Sequence, residues 1–211
     1  EYGDAMSAVS NLHRATGGSE FKYKFKYQTS LVGAALGNEY DDLRGVNDYN
    51  IGFGGRFPSV LNKLHYWFSG QHTKMDHYRV YKFDDNIYIE DPTDPTNSVN
   101  RENLVQPWDT QKGFRGFGND LTWDVFGKLT YKHSSRMWVN LSIWELAAHR
   151  KSFSHPYLYW DKGKNELFRD THRYAADFTQ ALSSRTFITV RASRFVQDEL
   201  NGVRWDDSDK D

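Results

Sequence analysis

One stretch of this chain alternates aromatic and polar side chains without interruption. In the segment FKYKFKYQ, at residues 21–28, every odd-numbered residue is aromatic and every even-numbered residue is lysine or glutamine. Successive side chains of a β-strand point to opposite faces, so a period of two predicts a strand with one apolar and one polar face. Similar alternation predicts further strands, about seven in all, at residues 49–53, 64–68, 123–131, 137–143, 174–178 and 188–192.

The lengths of the strands and of their connections narrow the architecture. Several segments run for about 10–13 residues, which exceeds the usual 5–6 of soluble strands and approaches the roughly 9–11 that cross a bilayer obliquely. The connections have about 17, 6, 45, 4, 21 and 3 residues and so alternate between long and short. Transmembrane β-barrels show this alternation, because short periplasmic turns face long extracellular loops. The pattern therefore favours a membrane barrel over a compact soluble domain.

The fifth predicted strand contains an irregularity. Its apolar residues occupy odd positions through Ile143 and even positions from Trp144 onward, and Glu145 falls on the formerly apolar side. One extra residue in a strand shifts its alternation in this way. We therefore predict a β-bulge at this point or, alternatively, a strand that leaves the bilayer there.

The composition excludes a helical membrane protein but not a β-barrel. Mean hydropathy is -0.80, and no stretch approaches the roughly 20 consecutive apolar residues of a spanning helix. Barrel strands alternate apolar and polar residues, so their average hydropathy is low. Aromatic residues make up 16% of the chain, which suits the aromatic girdles of membrane interfaces. The net charge of -1 argues against nucleic-acid binding.

The first 18 residues, EYGDAMSAVSNLHRATGG, carry a recognisable pattern. They resemble the end of the plug domain of TonB-dependent outer-membrane receptors, where E-Y-G-x-A-x-S-G-V-x-N runs into T-K-x-G-G. His13 and Arg14 stand where an aliphatic residue and threonine are usual. The residues that match the pattern are Glu1, Tyr2, Gly3, Ala5, Ser7, Val9, Asn11, Gly17 and Gly18.

A second pattern follows in the order expected for the same family. Residues 52–55 (GFGG) and 63–68 (KLHYWF) resemble the G-G-P-I turn and K-L-F-F-F strand of the subclass with large barrels and carboxypeptidase-like N-terminal extensions. Residues 56–58 (RFP) stand where Pro-Ile is usual. The resemblance therefore extends over essentially the whole chain, with the strand and loop pattern supporting its later part.

The resemblance implies an all-β fold. Residues 1–18 would be the C-terminal end of a plug domain, and residues 19–211 would form about seven strands of an antiparallel transmembrane β-barrel of about 22 strands. The full-length parent would import a scarce ligand, of the siderophore, cobalamin or oligosaccharide class, across the cell outer membrane of a Gram-negative type of envelope. Its partners would be outer-membrane lipid, that ligand, and the TonB–ExbB–ExbD system through its N-terminal part. Because the chain opens with Glu1, we expect the signal peptide, the Ton box and most of the plug to lie upstream.

The alternation also assigns residues to the barrel lumen. If the odd-numbered aromatic residues of 21–27 face lipid, the lysines between them face the lumen. Salt bridges to the plug are the favoured role, and an electropositive lining that attracts an anionic ligand is the alternative. The predicted lumen-facing residues are Lys22, Lys24, Lys26, Asp124, Lys128, Asp177 and Arg191.

Candidate ligand-binding residues lie in the predicted extracellular loops. Aromatic rings and a guanidinium group there could stack on a sugar or a chelate, although each is also compatible with an aromatic girdle or a loop core. The candidates are Tyr78, Arg79, Trp108, Tyr157, Tyr159 and Trp160.

Motifs for other chemistry are absent or weak. The sequence contains no nucleophile elbow, metalloprotease helix motif or Walker loop, so it predicts neither an enzyme nor a cofactor. The histidine pairs His72 with His77 and His149 with His155 lack convincing spacing for a metal site. Loop carboxylates could instead hold calcium, although solvated loop charge is favoured; they are Asp84, Asp85, Asp91, Asp94, Asp206, Asp207 and Asp209.

Two competing hypotheses come from other classes of protein. A soluble, aromatic-rich β-sandwich that binds carbohydrate would use the alternating aromatic residues as its core and binding face. The alternation of long and short connections argues against it. A small passive porin is the third hypothesis, and the plug-like N-terminus argues against that one.

Overall fold

The computed structural model describes residues 18–58, 62–87 and 112–203 of the chain, and most of this part is antiparallel β-sheet. The plug-like residues 1–17 therefore lie outside the described residues. The strands are β1 Lys22–Thr29, β2 Asn47–Arg56, β3 Leu64–Met75, β4 Arg79–Phe83, β5 Gly113–Phe117, β6 Asn119–Ser134, β7 Met137–Lys151, β8 Glu166–Ala181 and β9 Phe187–Gly202.

Seven of these strands form one sheet in the order β1-β2-β3-β6-β7-β8-β9. Every neighbouring pair is antiparallel, so the chain runs up and down across the sheet. Strands β4 and β5 pair with each other as a separate hairpin. The predicted all-β, antiparallel class is confirmed, and the seven strands of the sheet are those that the alternation predicted.

All the long connections lie at one end of the sheet, because consecutive strands are antiparallel. The connection from β1 to β2 contains two short helices, α1 Leu31–Ala35 and α2 Glu39–Arg44. The connection from β3 to β6 contains the β4–β5 hairpin, and that from β7 to β8 contains 3-10 turns at His155–Tyr157 and Asp161–Gly163. We term this end of the sheet the long-connection end and the opposite one the short-turn end.

No helix in the described ranges has both the length and the apolar character needed to cross a membrane.

The two faces of the sheet differ in polarity, although the more polar one also carries Phe126, Trp144 and Phe195 in one row. Paired residues share a face, and the apolar face carries a row that runs across the sheet through Tyr23, Phe53, Phe68, Ile143 and Tyr174. The residues that alternate with these along each strand lie on the polar face, and they include the three lysines of β1. Nothing in the described part of the chain covers the apolar face, where Leu141 in the middle of the sheet is 50% exposed.

The apolar stretch lies at different heights on different strands. On β1 it extends toward the long-connection end as far as Tyr27. The row of paired residues that starts at Tyr27 crosses the sheet through Trp123 on β6 and ends at Asp198 on β9. On β9 the unbroken apolar run of this face ends at Ala192, six residues before Asp198. The apolar stretch is therefore displaced by six residues between β1 and β9, an average of one residue per strand. On β6 it still reaches Leu121, so all of this displacement occurs beyond β6.

The bulge predicted in β7 is wrong. Pairing of β7 with β8 continues without a register shift from Met137 to Arg150, so Glu145 keeps its place on the apolar face. The polarity of that face changes there, while the backbone register does not. Glu145 accepts a hydrogen bond from His172 of β8, which gives the carboxylate a partner on this face. The irregularity in the sheet lies instead between Lys132 and Ser134 of β6, beside the short turn.

Close packing of β2 against β3 requires glycine at two positions on the polar face. A Cβ added to Gly54 would lie 2.5 Å from the carbonyl oxygen of Tyr66 and 2.6 Å from Cε3 of Trp67. A Cβ added to Gly52 would lie 3.2 Å from Cζ2 of the same tryptophan. The Trp67 ring therefore lies against the backbone of β2, in space that any larger side chain would fill.

Gly54→Ala is expected to lower the free energy of unfolding by about 1–3 kcal/mol, because the added methyl group meets backbone as well as the Trp67 ring. Denaturant unfolding of the variant beside the wild type measures the effect. Gly202→Ala is the matched control, since an added Cβ there meets nothing within 4 Å. Equal unfolding midpoints for the two variants would contradict the packing described here.

Candidate functional site

The structure places the seven predicted lumen-facing residues on the polar face. Lys22, Lys24 and Lys26 alternate along β1, opposite Gly54, Gly52 and Asn50 of β2. The others lie in rows of the same face on β6, β8 and β9; they are Asp124, Lys128, Asp177 and Arg191. That this face lines a lumen stays a prediction.

Two carboxylates of the polar face have partners within the sheet. Asp124 accepts a hydrogen bond from Nε1 of Trp144 at 3.0 Å. Asp177 accepts one from Nε of Arg191, its cross-strand neighbour on β9. Each carboxylate has a partner on the adjacent strand. It therefore offsets the positive charge of the β1 lysines less than an isolated carboxylate would.

The chain reaches β1 from the side of the polar face. His65 of β3 is 8% exposed, and it lies on this face between Arg56 and Thr130. Its Nδ1 lies 2.9 Å from the carbonyl oxygen of Gly18, to which the Nδ1-protonated ring donates a hydrogen bond. The buried imidazole thereby fixes the segment that leads into the sheet against the polar face.

At the long-connection end, α2 is fixed to the strands by its own ends. The side chain of Asn38 accepts hydrogen bonds from the backbone of α2, and Gly45 ends the helix with a φ of 52°. The backbone N–H of Asp76 then donates to the carbonyl oxygen of Arg44 at 3.0 Å. Nδ1 of His77 lies 2.6 Å from the carbonyl oxygen of Leu43. Helix α2 is therefore held in place by the residues that follow β3.

A cluster of aromatic rings forms a small core at the same end. Phe117 of β5 is fully buried, with an exposed fraction of 0%. The ring centroid of Phe153 lies 5.6 Å from that of Phe117 and 5.1 Å from that of Tyr81 on β4. Phe83 and His155 complete the cluster, at 6.5 Å from Phe117 and 4.9 Å from Phe153 respectively. These rings join the β4–β5 hairpin to the connection between β7 and β8.

A nearly buried ion network closes the connection between β7 and β8. Nζ of Lys151 lies 3.0 Å from Oδ2 of Asp161 and 3.7 Å from Oε1 of Glu166. The other carboxylate oxygen of Glu166 lies 2.7 Å from Nε2 of His149. Lys151 is the last residue of β7 and Glu166 the first of β8, so the network ties the two ends of the connection together.

A pocket of about 280 Å³ opens where α2 meets the start of β4. Its lining residues are Tyr40, Arg44, Met75, Tyr78 and Arg79. Nη2 of Arg44 lies 3.9 Å from the sulfur of Met75, and the guanidinium carbon lies 5.9 Å from the Tyr40 ring centroid. Nε of Arg44 is buried and has no hydrogen-bond partner among the described residues.

The pocket brings together two of the predicted ligand-binding residues, Tyr78 and Arg79. Sequence reasoning missed Tyr40, Arg44 and Met75, because α2 is too short to show a helical period. Tyr157, Tyr159 and Trp160 lie instead on the connection between β7 and β8 and do not line this pocket. Trp108 lies outside the described residues.

The histidines considered as metal ligands have other surroundings. The ring of His72 stacks on Trp123, with centroids 3.8 Å apart, whereas His77 is bonded to the backbone of α2. His149 is bonded to Glu166, and His155 belongs to the aromatic cluster. Within the described ranges no three or more His, Asp or Glu side chains form a group able to hold a metal ion. Of the candidate calcium ligands, Asp84 and Asp85 directly follow β4, and the others lie outside those ranges.

Lys151→Gln is expected to loosen the connection between β7 and β8, because it removes the cation that lies between the carboxylates of Asp161 and Glu166. The loss should amount to about 1–3 kcal/mol of local stability. Hydrogen exchange of residues 152–165 measures it. Lys162→Gln removes the same charge from an exposed position in this connection and should leave exchange unchanged. Equal protection in the two variants would contradict the role of the ion network.

A scan against protein-family models, a search of curated proteins and a search of solved structures each found no match to this chain. The resemblance to TonB-dependent receptors therefore depends on the sequence patterns at residues 1–18, 52–55 and 63–68. The function that it implies is a proposal.

Proposed function

We propose that the chain is a segment of a TonB-dependent outer-membrane receptor, comprising the end of the plug and the first strands of the transmembrane barrel. The observation that carries the proposal is the uncovered apolar face of the sheet, bounded toward the long-connection end by an aromatic row and backed by a polar face. Large contiguous apolar surfaces on a protein mark contact with a partner or with lipid. In an outer-membrane barrel the apolar face would contact lipid and the polar face the lumen.

The arrangement of aromatic residues supports contact with a bilayer. Toward the long-connection end, Tyr27, Tyr49, His72 and Trp123 form a row of stacked rings across four strands, with successive centroids 4.6, 6.3 and 3.8 Å apart. Toward the short-turn end, β6 carries Tyr131 on the same face. At about 3.3 Å per residue, Trp123 and Tyr131 lie about 26 Å apart along the strand, which for a strand tilted by about 40° is about 20 Å along the membrane normal, within the roughly 25 Å height of a barrel's apolar band.

The slant of the apolar stretch also supports a barrel. Neighbouring strands lie about 4.8 Å apart, and barrel strands tilt by about 40° from the membrane normal. An apolar band that stays level in the membrane must then move by about 4 Å along each successive strand, or roughly one residue. The displacement between β1 and β9 has this size as an average over the six pairings, and it occurs beyond β6.

The polar face supports the placement of a plug. The segment that leads into β1 is bonded through Gly18 to the buried His65 on that face. The residues before it resemble the end of a plug, which in the family fills the barrel. Lys22, Lys24 and Lys26 line the same face and are available to pair with plug carboxylates.

The proposed mechanism is gated transport without chemical change of the ligand. The ligand would bind outside the membrane at the long-connection end. It would pass along the polar face when the plug rearranges, with energy supplied through the TonB–ExbB–ExbD system. The ligand would belong to the siderophore, cobalamin or oligosaccharide class.

The test uses the full-length native protein and two variants with arginine at adjacent residues of β7. The wild type is expected in the outer-membrane fraction, to need detergent for extraction and to show heat-modifiable gel mobility. Leu141→Arg puts a charge on the apolar face at a cost of about 2–4 kcal/mol, so less folded protein should accumulate. Ser142→Arg puts the same charge on the polar face and should leave folding close to the wild type.

Two results would count against the proposal in different ways. A wild-type protein that is soluble in buffer and shows no mobility shift would overturn the outer-membrane assignment and favour the soluble carbohydrate-binding sandwich. Equal folding of the two arginine variants would instead contradict the assignment of the apolar face to lipid.

A further inference from the structure

We propose that the pocket lined by Tyr40, Arg44, Met75, Tyr78 and Arg79 binds an oxyanion group of a small soluble ligand. Phosphate, sulfate and carboxylate groups share the chemistry that this pocket offers. The inference rests on the proposed function, because it names the class of ligand taken at the long-connection end of the receptor. The location of the pocket between α2 and the start of β4 is independent of that function.

Arg44 has no strong hydrogen-bond acceptor among the described residues. Its Nε is buried without a hydrogen-bond partner in the described part of the chain, and its Nη2 reaches only the weak acceptor sulfur of Met75 at 3.9 Å. Buried N–H groups almost always have an acceptor, and a guanidinium group is suited to bidentate binding of oxyanions. An oxyanion in the pocket would supply the acceptor that Arg44 lacks.

The pocket carries two positive charges. Arg79, the first residue of β4, borders the same pocket. Neither arginine forms an ion pair with a carboxylate of the described residues: Asp76, beside Gly45, pairs with Lys74 at 3.1 Å, and the side chain of Asp41 lies against Gly33 on α1. Two guanidinium groups at one pocket raise the local concentration of anions.

Arg44 is also held in place before any ligand binds. Arg44 lies at the end of α2, its backbone carbonyl is bonded to Asp76, and its guanidinium lies near the Tyr40 ring. Little movement is therefore needed to receive a ligand, which favours binding. A purely structural role, in which Arg44 only packs against Tyr40 and Met75, predicts no affinity for anions.

Size and surroundings restrict the ligand further. The pocket volume of about 280 Å³ falls just below the usual range of roughly 300–1,000 Å³ for drug-sized ligands. Tyr40 and Tyr78 are 40% and 47% exposed, and the thioether of Met75 adds an apolar wall. The pocket therefore suits a small anion, or the anionic end of a larger molecule with an apolar or ring portion next to it.

The experiment titrates inorganic phosphate into the full-length protein in a nonionic detergent by calorimetry, with sodium chloride at equal ionic strength as the reference. Arg79→Gln and the double variant Arg44→Gln with Arg79→Gln are compared with the wild type. Arg136→Gln, at the exposed turn between β6 and β7, removes one charge far from the pocket. Heat-modifiable mobility is measured for every variant, so that folding is scored separately from binding.

The wild type and Arg136→Gln are expected to bind phosphate above the chloride reference. Each lost guanidinium should weaken binding by about tenfold, since charged hydrogen bonds contribute at that level. No phosphate binding by the wild type, or unchanged binding by Arg79→Gln, would overturn the inference; Arg79→Gln decides the question even where the double variant misfolds. Absence of heat-modifiable mobility in every sample would instead overturn the proposed function.

Discussion

The described sheet is a single layer with one apolar face, and the rest of the structure depends on how that face is satisfied. Interstrand hydrogen bonds hold β1, β2, β3 and β6 to β9 together, but no second layer of the described chain packs on the exposed Leu141 and its neighbours. Apolar side chains stabilise a fold only when they leave water. A bilayer would meet this requirement along the whole band, which explains why a chain of low mean hydropathy can have so large an apolar surface.

The long-connection end is built on a different principle from the sheet. There the chain has a small conventional core around Phe117, and its segments are joined by specific polar contacts. Gly118 lies at the junction with a φ of 70°, and an added Cβ there would lie only 2.3 Å from the carbonyl oxygen of Lys151. Such contacts turn long connections into a fixed assembly. A rigid assembly of this kind holds the side chain of Arg44 in place at the pocket.

The sequence was informative where the two faces of a strand differ and uninformative where they do not. The period of two predicts the seven strands because apolar and polar positions alternate along them. Strand β8 begins at Glu166, eight residues before the predicted segment. The sequence does not show this start, because in residues 166–173 the apolar Leu167 and Phe168 are adjacent among polar residues and form no period of two. At Glu145 the sequence pattern predicts a possible shift of register. The pairing of β7 with β8 is unbroken there, so the pattern reflects a change in the polarity of the face and not a bulge.

The elements of the long-connection end had no local signal of this kind. Strands β4 and β5 have five residues each and pair across a long separation in sequence, so their pairing follows from tertiary contacts. Helices α1 and α2 are one or two turns long, too short for a hydrophobic period to appear. Tyr78 and Arg79 were proposed from residue type alone. Arg44 joins them only because α2 folds back onto the residues after β3.

The most direct test of the central claim is spin-label accessibility along β7 in the full-length protein reconstituted in lipid vesicles. The 211 residues contain no cysteine, so single cysteines at positions 138–150 carry the label without competition from this segment. Labels at 139, 141 and 143 should be open to oxygen dissolved in the bilayer, while those at 140 and 142 should not. From 145 onward, access should shift to a water-soluble paramagnetic reagent. Uniform aqueous access, or no period of two between 139 and 143, would contradict the assignment of the apolar face to lipid.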